Sequence, residues 1–250
     1  MAFDNLAFCW HGVITPDTDA AKSFYAQALG WEVQTTPMGD EDATMFAAGG
    51  VPRLHLSTPP EDGIPAHWDN YFRVEDVDAS TAKAVANGGA LLVPPTDIPP
   101  GRFSVVASPS GALLHLFHEA DEGSSQNAPD ADGGIHWVEL HSHELDKDLA
   151  WLKATFGLTS ETMPMPTGPY TILRAGERMV GGAMTAQQEG APSMWLSWVR
   201  VADVDAVAAK VTDLGGALHT PFMDAEGVGR MVIAADPTGG VFGIIQPPNA

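Results

Sequence analysis

The repeat that decides the fold reads HWDNYFRVEDVDA at residues 67–79 and MWLSWVRVADVDA at residues 194–206. The second copy begins 127 positions after the first. Further along, GRFSVVASPSGALLHLF at 101–117 matches GRMVIAADPTGGVFGII at 229–245, where the offset has drifted by only one position. Several separate blocks would not share nearly the same offset by chance, so we expect the chain to consist of two homologous halves.

The length of 250 residues fits two such halves, because single domains commonly contain about 100–200 residues. We predict a first domain at residues 1–120 and a second at 134–250. The segment between them, 121–133, is polar, acidic and rich in Gly and Ser, as is typical of a solvated linker.

The charge and composition exclude several classes of partner. The chain has 12 Lys and Arg against 32 Asp and Glu, a formal net charge of −20, which disfavours nucleic acid and anionic lipid. It shows neither a signal peptide nor an apolar run of about 18 residues. The lone Cys9 cannot form an internal disulfide. We expect a cytoplasmic protein, monomer or homodimer, with a small-molecule ligand and no membrane contact.

Local patterns predict the order βαβββ–βαβββ in each half. Near the N-terminus, a short apolar strand leads into an apolar pattern of helical period that stops at Gly30. Thr15, Asp17 or Thr18 could cap this helix, and Gly30 suits the left-handed conformation that ends one. Short alternating segments that follow are typical of half-buried strands.

The motifs together resemble the vicinal oxygen chelate superfamily, which includes glyoxalase I, bleomycin-resistance proteins and extradiol dioxygenases. They are Thr15-Pro-Asp with Phe24-Tyr25 and Leu29-Gly30-Trp31, the pair Val74-Glu-Asp-Val-Asp78 and Val201-Ala-Asp-Val-Asp205, and Asp236-Pro-Thr-Gly239. The resemblance implies an α+β fold in which four βαβββ modules form two glyoxalase-like domains with cupped mixed sheets. It also implies, in active members, a divalent metal that binds two adjacent substrate oxygens and acts as a Lewis acid.

The resemblance places the first-half metal ligands at His55, Asp69 and His115, while the first-strand position falls on Trp10. Two imidazoles and a carboxylate suit Fe, Mn, Zn or Ni. Both histidines lie between leucines on predicted strands, so the alternative is that they are ordinary hydrogen-bonded strand residues.

The second half departs from the ligand pattern. Its corresponding positions are Trp137, Gly182, Leu196 and Gly243, none of which binds a metal. A metal site of the family's kind is therefore not expected there.

Aromatic and polar residues could still make the cups bind a ligand. We assign substrate binding to Trp10, Trp137, His141 and Trp195, with Trp198 as a further candidate for lining the second cup. Trp137 and His141 are four positions apart, and an even spacing places them on one face of a strand.

Glu139 lies on that same face and is the candidate catalytic residue. It resembles the Glu of a Trp-x-Glu-Leu motif in two-domain relatives, where the first half has Gly12. A buried carboxylate needs a partner, and Arg174 or Arg200 could supply one.

Three functions remain open at this point. The first is a metal-dependent enzyme of lyase, isomerase or dioxygenase type acting on a small metabolite with vicinal oxygens. The second is a metal-free protein that binds or sequesters a small molecule, as in the bleomycin-resistance branch. The third is a scaffold module whose cups are filled by its own side chains.

Overall fold

The structure is a computed structural model that describes residues 6–38, 41–121, 130–165, 168–188 and 190–248. Within these residues the chain forms four helices and 17 strands, which confirms the α+β class. Most of the predicted linker, residues 122–129, lies outside the described residues, so the linker stays a prediction.

The elements fall into four modules in chain order. The first comprises β1 (Ala7–Ile14), α1 (Thr18–Ala28), β2 (Glu32–Met38), β3 (Glu41–Ala48) and β4 (Val51–Ser57). The second comprises β5 (His67–Arg73), α2 (Val77–Ala86), β6 (Ala90–Ile98), β7 (Gly101–Ala107) and β8 (Leu113–Glu119). The third comprises β9 (Ile135–Ser142), α3 (Leu145–Phe156), β10 (Thr159–Met165), β11 (Gly168–Ala175) and β12 (Arg178–Thr185). The fourth comprises β13 (Met194–Arg200), α4 (Val204–Asp213), β14 (Ala217–Leu218), β15 (Met223–Ala225), β16 (Gly229–Ala235) and β17 (Val241–Gln246).

The strands form two mixed sheets, one for each half of the sequence. Strands β1–β8 belong to an eight-stranded sheet and β9–β17 to a nine-stranded sheet. In every module the first strand pairs in parallel with the last, and the remaining pairs are antiparallel. The two halves are therefore homologous in structure as well as in sequence.

The fourth module differs from the expected βαβββ order because its second strand is broken into β14 and β15. Pro221 lies between these two short strands. Proline has no backbone N–H to contribute to a ladder, so strand pairing is interrupted there.

The chain also divides into two compact units that each combine modules from both halves. Unit 1 contains Met1–Cys9, Asn70–Ser125 and Val138–Trp195, and unit 2 contains Trp10–Asp69, Gln126–Trp137 and Leu196–Ala250. The strand orders are β5-β8-β7-β6 and β10-β11-β12-β9 in unit 1. In unit 2 they are β2-β3-β4-β1 and β13-β17-β16-β14, with β15 paired to β16.

In unit 1 the helices α2 and α3 pack together through buried polar groups as well as apolar ones. Trp151 donates its indole N–H to the carbonyl of Ala84 at 2.9 Å. Asp148 is fully buried and accepts hydrogen bonds from the Ser110 backbone N–H and the Ser142 hydroxyl, at 3.1 and 2.7 Å. These bonds satisfy a carboxylate that would otherwise be costly to bury.

In unit 2 the corresponding polar contact involves a phenol. Tyr25 on α1 donates to Asp236 at 2.6 Å and accepts a hydrogen bond from the Trp68 indole at 2.9 Å. Burial and the neighbouring carboxylate of Asp236 raise the pKa of Tyr25 well above its ordinary value, so this phenol stays protonated.

Local sequence signals explain the helix boundaries. Asp17 is the residue that caps α1, accepting from the backbone N–H of Ala20 at 2.9 Å, and Gly30 follows the helix with φ +70°. Asp76 and Asp203 cap α2 and α4 in the same way. No helix in the described ranges is long and apolar enough to cross a membrane.

Candidate functional site

A hydrogen-bonded cluster of three side chains on the third module is the candidate functional site. Glu139 in β9 is 5% exposed, and its Oε1 lies 2.7 Å from Nε2 of His141. The hydroxyl of Tyr170 in β11 donates to Oε2 of Glu139 at 2.8 Å. All three residues belong to unit 1. We call them the Glu139 cluster.

The register of the sheet explains how these residues meet. Glu139 and His141 are two positions apart, so they share one face of β9. Strand β12 lies between β9 and β11, with Gly182 directly opposite Glu139. Tyr170 must therefore reach across β12 to bond Glu139, over roughly two strand spacings of about 4.8 Å each. The residue opposite Glu139 on the intervening strand is thus a glycine, which has no side chain to lie between Glu139 and Tyr170.

The partners of Glu139 correct the sequence prediction. Arg174, one expected partner, pairs instead with Glu161 at 3.5 Å, and Arg200, the other, pairs with Asp132 at 3.3 Å. Both arginines are therefore engaged elsewhere. Glu139 is bonded instead to an imidazole and a phenol. Sequence reasoning missed Tyr170 altogether, because no local pattern shows which strand lies two places away in the sheet.

His55, the first candidate metal ligand, is already engaged through its ring. It lies opposite Gly12 in the parallel β1–β4 pair, and a Cβ placed on Gly12 would come within 2.3 Å of the imidazole. The indole N–H of Trp10 donates to Nδ1 of His55 at 3.1 Å. The ring therefore packs onto the glycine backbone and uses one lone pair as a hydrogen-bond acceptor.

Asp69, the second candidate ligand, pairs with a neighbouring histidine. Nε2 of His67 lies 3.3 Å from Oδ1 of Asp69, and Nδ1 of His67 lies 2.8 Å from the carbonyl of Pro65. The neighbouring carboxylate of Asp69, together with the Pro65 carbonyl, raises the pKa of His67 above its ordinary value despite partial burial. This side-chain pair is held entirely within unit 2.

His115, the third candidate, is 7% exposed in unit 1, where its ring lies 4.6 Å from that of Tyr71. Among the described residues, no three or more His, Cys, Asp or Glu side chains come together in a group that could hold a metal ion. The assignment of a metal to His55, Asp69 and His115 therefore stays a prediction.

The aromatic residues expected to bind substrate lie in different settings. Trp10 and Trp137 are half-buried residues of unit 2. Trp195 is 4% exposed and packs on Phe8, with 5.1 Å between ring centroids, in the apolar core of unit 1. Residues three apart on a strand point to opposite faces, so Trp195 and Trp198 lie on different faces of β13, and the assignment of substrate-binding residues stays a prediction.

The repeated arginines have structural partners. Arg102 bonds Asp78 and Asp97 in the second module, and Arg230 bonds Asp205 and Asp224 in the fourth. Each arginine therefore ties the first turn of a helix to a hairpin, at matching positions of the two halves. The ion pairs lower the pKa of Asp78 and Asp205 and raise that of both arginines.

Comparison with known proteins agrees with this architecture. The sequence profile of the family described as "Glyoxalase-like domain" matches residues 10–117. CFP32 of Mycobacterium bovis, which carries a provisional glyoxylase name, is 33% identical over 245 residues, covering 95% of this chain and 94% of that protein. The chain belongs to the glyoxalase-like family. Its four-module architecture agrees with the resemblance to the vicinal oxygen chelate superfamily.

A second relative and two solved structures extend the comparison. The anthracycline biosynthesis protein DauV of Streptomyces sp. strain C5 is 27% identical over 257 residues, covering 95% of this chain and 92% of that protein. The Mn(II)-bound glyoxalase from Novosphingobium aromaticivorans superposes with a TM-score of 0.66 at 18% identity, over 97% of this chain and 82% of that one. The 2,3-dioxygenase LapB from Pseudomonas sp. KL28 gives 0.64 at 13% identity, over 98% and 93%. At these identities the two structures establish the shared fold alone.

Proposed function

We propose that this glyoxalase-like protein is an enzyme that transfers a proton to or from a small metabolite with two adjacent oxygens, and that its site is the Glu139 cluster. The observation that carries the proposal is a buried carboxylate bonded at one oxygen to an imidazole and at the other to a phenol. Imidazole, carboxylate and phenol are all side chains that enzymes use for general acid–base catalysis.

Burying the Glu139 carboxylate does not favour folding, so its presence calls for a role other than stability. Burying a carboxylate carries a desolvation penalty, and the two hydrogen bonds to Glu139 offset part of it. The first half has Gly12 at the position that aligns with Glu139, so the fold is built there without a carboxylate. A functional role for the cluster accounts for the extra charge in the second half.

A divalent metal held by His55, Asp69 and His115 is the competing proposal, and the Mn(II)-bound relative is the reason to keep it. The geometry at His55 does not fit it. Nδ1 of His55 accepts from Trp10, so a neutral ring carries its proton on Nε2, and neither nitrogen then offers a metal its lone pair. We therefore assign no step of the reaction to a metal.

Proton exchange on hydroxyacetone in D₂O tests the proposal, with loss of the α-proton signals followed by ¹H NMR. This probe places a carbonyl and a hydroxyl on adjacent carbons. We expect the wild type to exchange these protons faster than buffer does, with no change on adding EDTA. Glu139→Ala should lower the enzymatic rate by about 100-fold, within the range for general acid–base groups. Glu161→Ala, which removes a surface carboxylate of the same unit, is the matched control and should retain the rate.

Two other results would favour a different function. A rate abolished by EDTA, restored by Mn²⁺, Fe²⁺, Zn²⁺ or Ni²⁺ and unaffected by Glu139→Ala would favour the metal site. A rise in melting temperature with the probe, without any exchange above buffer, would favour the metal-free binding protein instead.

A further inference from the structure

The hydrogen bond between Glu139 and His141 determines where the imidazole carries its proton. An ionised carboxylate only accepts hydrogen bonds, so Nε2 of His141, 2.7 Å from Oε1 of Glu139, must donate. A neutral imidazole has one donor nitrogen and one acceptor nitrogen. When the ring of His141 is neutral, its lone pair is therefore on Nδ1.

That Nδ1 atom is available to a ligand. The ring makes no second hydrogen bond in the part of the chain that the structure describes. Its side chain is 15% exposed, and Nδ1 is not among the buried polar atoms that lack a partner. The lone pair thus remains in contact with solvent.

Glu139 is in the opposite situation, because both of its oxygens are occupied. Oε1 holds His141 and Oε2 holds Tyr170, and the side chain is only 7% exposed. A carboxylate held at both ends is well suited to orient and charge-stabilise an imidazole. It is less suited to meet a substrate directly.

We infer that Nδ1 of His141 is the atom that takes the substrate proton, that Glu139 positions the imidazole, and that Tyr170 positions Glu139. The inference rests on the proposed function of the same cluster and refines it. It reverses the roles expected from the sequence, in which Glu139 was the catalytic residue and His141 a substrate-binding residue. Tyr170 enters as a positioning residue that sequence reasoning had not singled out.

The step is balanced without any oxidant or reductant. The C–H bond next to the substrate carbonyl breaks, and its electron pair forms the C=C bond of an enediolate while the carbonyl oxygen takes the negative charge. The proton binds Nδ1, and the imidazolium so formed is paired with the Glu139 carboxylate. In D₂O the nitrogen exchanges with solvent, and the reverse step delivers deuterium to carbon.

The same charges indicate which substrates fit. With the ring in the neutral form that accepts the proton, the cluster includes the carboxylate of Glu139, and the whole chain carries a net charge of −20. An anionic substrate would approach against this field. The site therefore favours uncharged α-hydroxy ketones over their carboxylate analogues. Hydroxyacetone and hydroxypyruvate are a matched pair of probes, since a carboxylate replaces the methyl group.

The tautomer can be measured without any substrate. Selective ¹⁵N labelling of histidine gives a pair of ring-nitrogen signals from each of the nine imidazoles, and His141→Asn identifies the pair that belongs to His141. We expect the Nε2–H form in the wild type and in Tyr170→Phe, and a mixture of tautomers in Glu139→Ala, where no acceptor holds Nε2. A wild-type ring protonated on Nδ1 would overturn the inference while leaving the proposed function standing.

Exchange kinetics separate the roles of the residues. We expect His141→Asn to lower kcat for hydroxyacetone by about 100-fold, and the isosteric, uncharged Glu139→Gln by about 10-fold, with KM nearly unchanged in both. His143→Asn, two positions further along the chain from His141, is the matched control and should stay within about twofold. Relative to buffer, hydroxyacetone should be accelerated at least about 10-fold more than hydroxypyruvate.

The failures are distinguishable. Full exchange in His141→Asn together with its loss in Glu139→Gln would make Glu139 the base and overturn the inference. Equal or greater acceleration of hydroxypyruvate would overturn the substrate class. Absence of exchange in the wild type would overturn the proposed function, and the catalytic role of His141 with it.

Discussion

Two strands of this protein carry an imidazole and a carboxylate two residues apart, and the pairs differ in how the ring is held. In β5, His67 uses both nitrogens, with Nδ1 against the Pro65 carbonyl and Nε2 against Asp69. In β9, His141 uses Nε2 alone, against Glu139. The first pair belongs to unit 2 and the second to unit 1.

The difference shows why spacing alone does not identify a catalytic pair. A ring with a carbonyl beside one nitrogen and a carboxylate beside the other is favoured as a cation, which agrees with the raised pKa of His67. Such a ring has no lone pair with which to accept a proton. A ring held through one nitrogen keeps the other for a substrate. On this basis the β5 pair is a structural ion pair, and the β9 pair is the candidate acid–base pair.

The largest effect on stability is expected at the glycine beside Glu139. Gly182→Val would place a branched side chain opposite the carboxylate, in the space that Tyr170 crosses. Overpacking of this kind costs about 1–3 kcal/mol of unfolding free energy and should break the bond between Tyr170 and Glu139. Urea unfolding measures the cost. Thr185→Val at the exposed end of β12 is the control and should change stability by less than about 0.5 kcal/mol. An equal cost at the two positions would mean that the space beside Glu139 has no special role.

A smaller effect is expected at Tyr170. Tyr170→Phe removes the donor to Oε2 of Glu139 but keeps the ring, so we expect a loss of about 1–2 kcal/mol, because the buried carboxyl group loses one of its two hydrogen bonds. The same unfolding experiment on Glu139→Gln/Tyr170→Phe completes a double-mutant cycle. Additive losses would show that the hydroxyl and the carboxylate do not interact.

The smallest effect concerns the β5 pair and depends on pH. The folded pKa of His67 is raised, so its ion pair with Asp69 stabilises the fold fully below the unfolded value of about 6.5. This contribution disappears as pH rises through the folded pKa. His67→Gln should therefore cost more stability at about pH 5.5 than at about pH 8.5, as measured by urea unfolding at both values. A cost that grows with pH would contradict the assignment of a charged ring.

Much of the fold could be predicted from the sequence, since it depends on local and repeated signals. The offset of the repeat predicted two halves, and Asp17 was among three candidate caps for α1, of which the structure selects one. Glu139 and His141 were placed on one face of a strand by alternation alone. These inferences need only the period of a strand or a helix, and that period can be read from a short stretch of sequence.

The remainder depends on which strands become neighbours. Tyr170 meets Glu139 only because β12 lies between β9 and β11, and no spacing in the sequence encodes that distance. The arginine partners were wrong for the same reason, since Arg174 faces Glu161 across the β10–β11 pair. The predicted metal ligands of the first half illustrate a second limit: residue type can be read from the sequence, but the direction of a side chain cannot. His55 has the right residue type, but its ring is turned toward Trp10 and Gly12.

The most direct test of the account compares the two imidazoles in one assay. α-Proton exchange of hydroxyacetone in D₂O is measured by ¹H NMR for the wild type, His141→Asn and His67→Asn, each in the presence of EDTA. We predict that His141→Asn loses about 100-fold in rate, while His67→Asn stays within about twofold of the wild type. Loss of exchange in His67→Asn with retention in His141→Asn would contradict the account and move the site to β5.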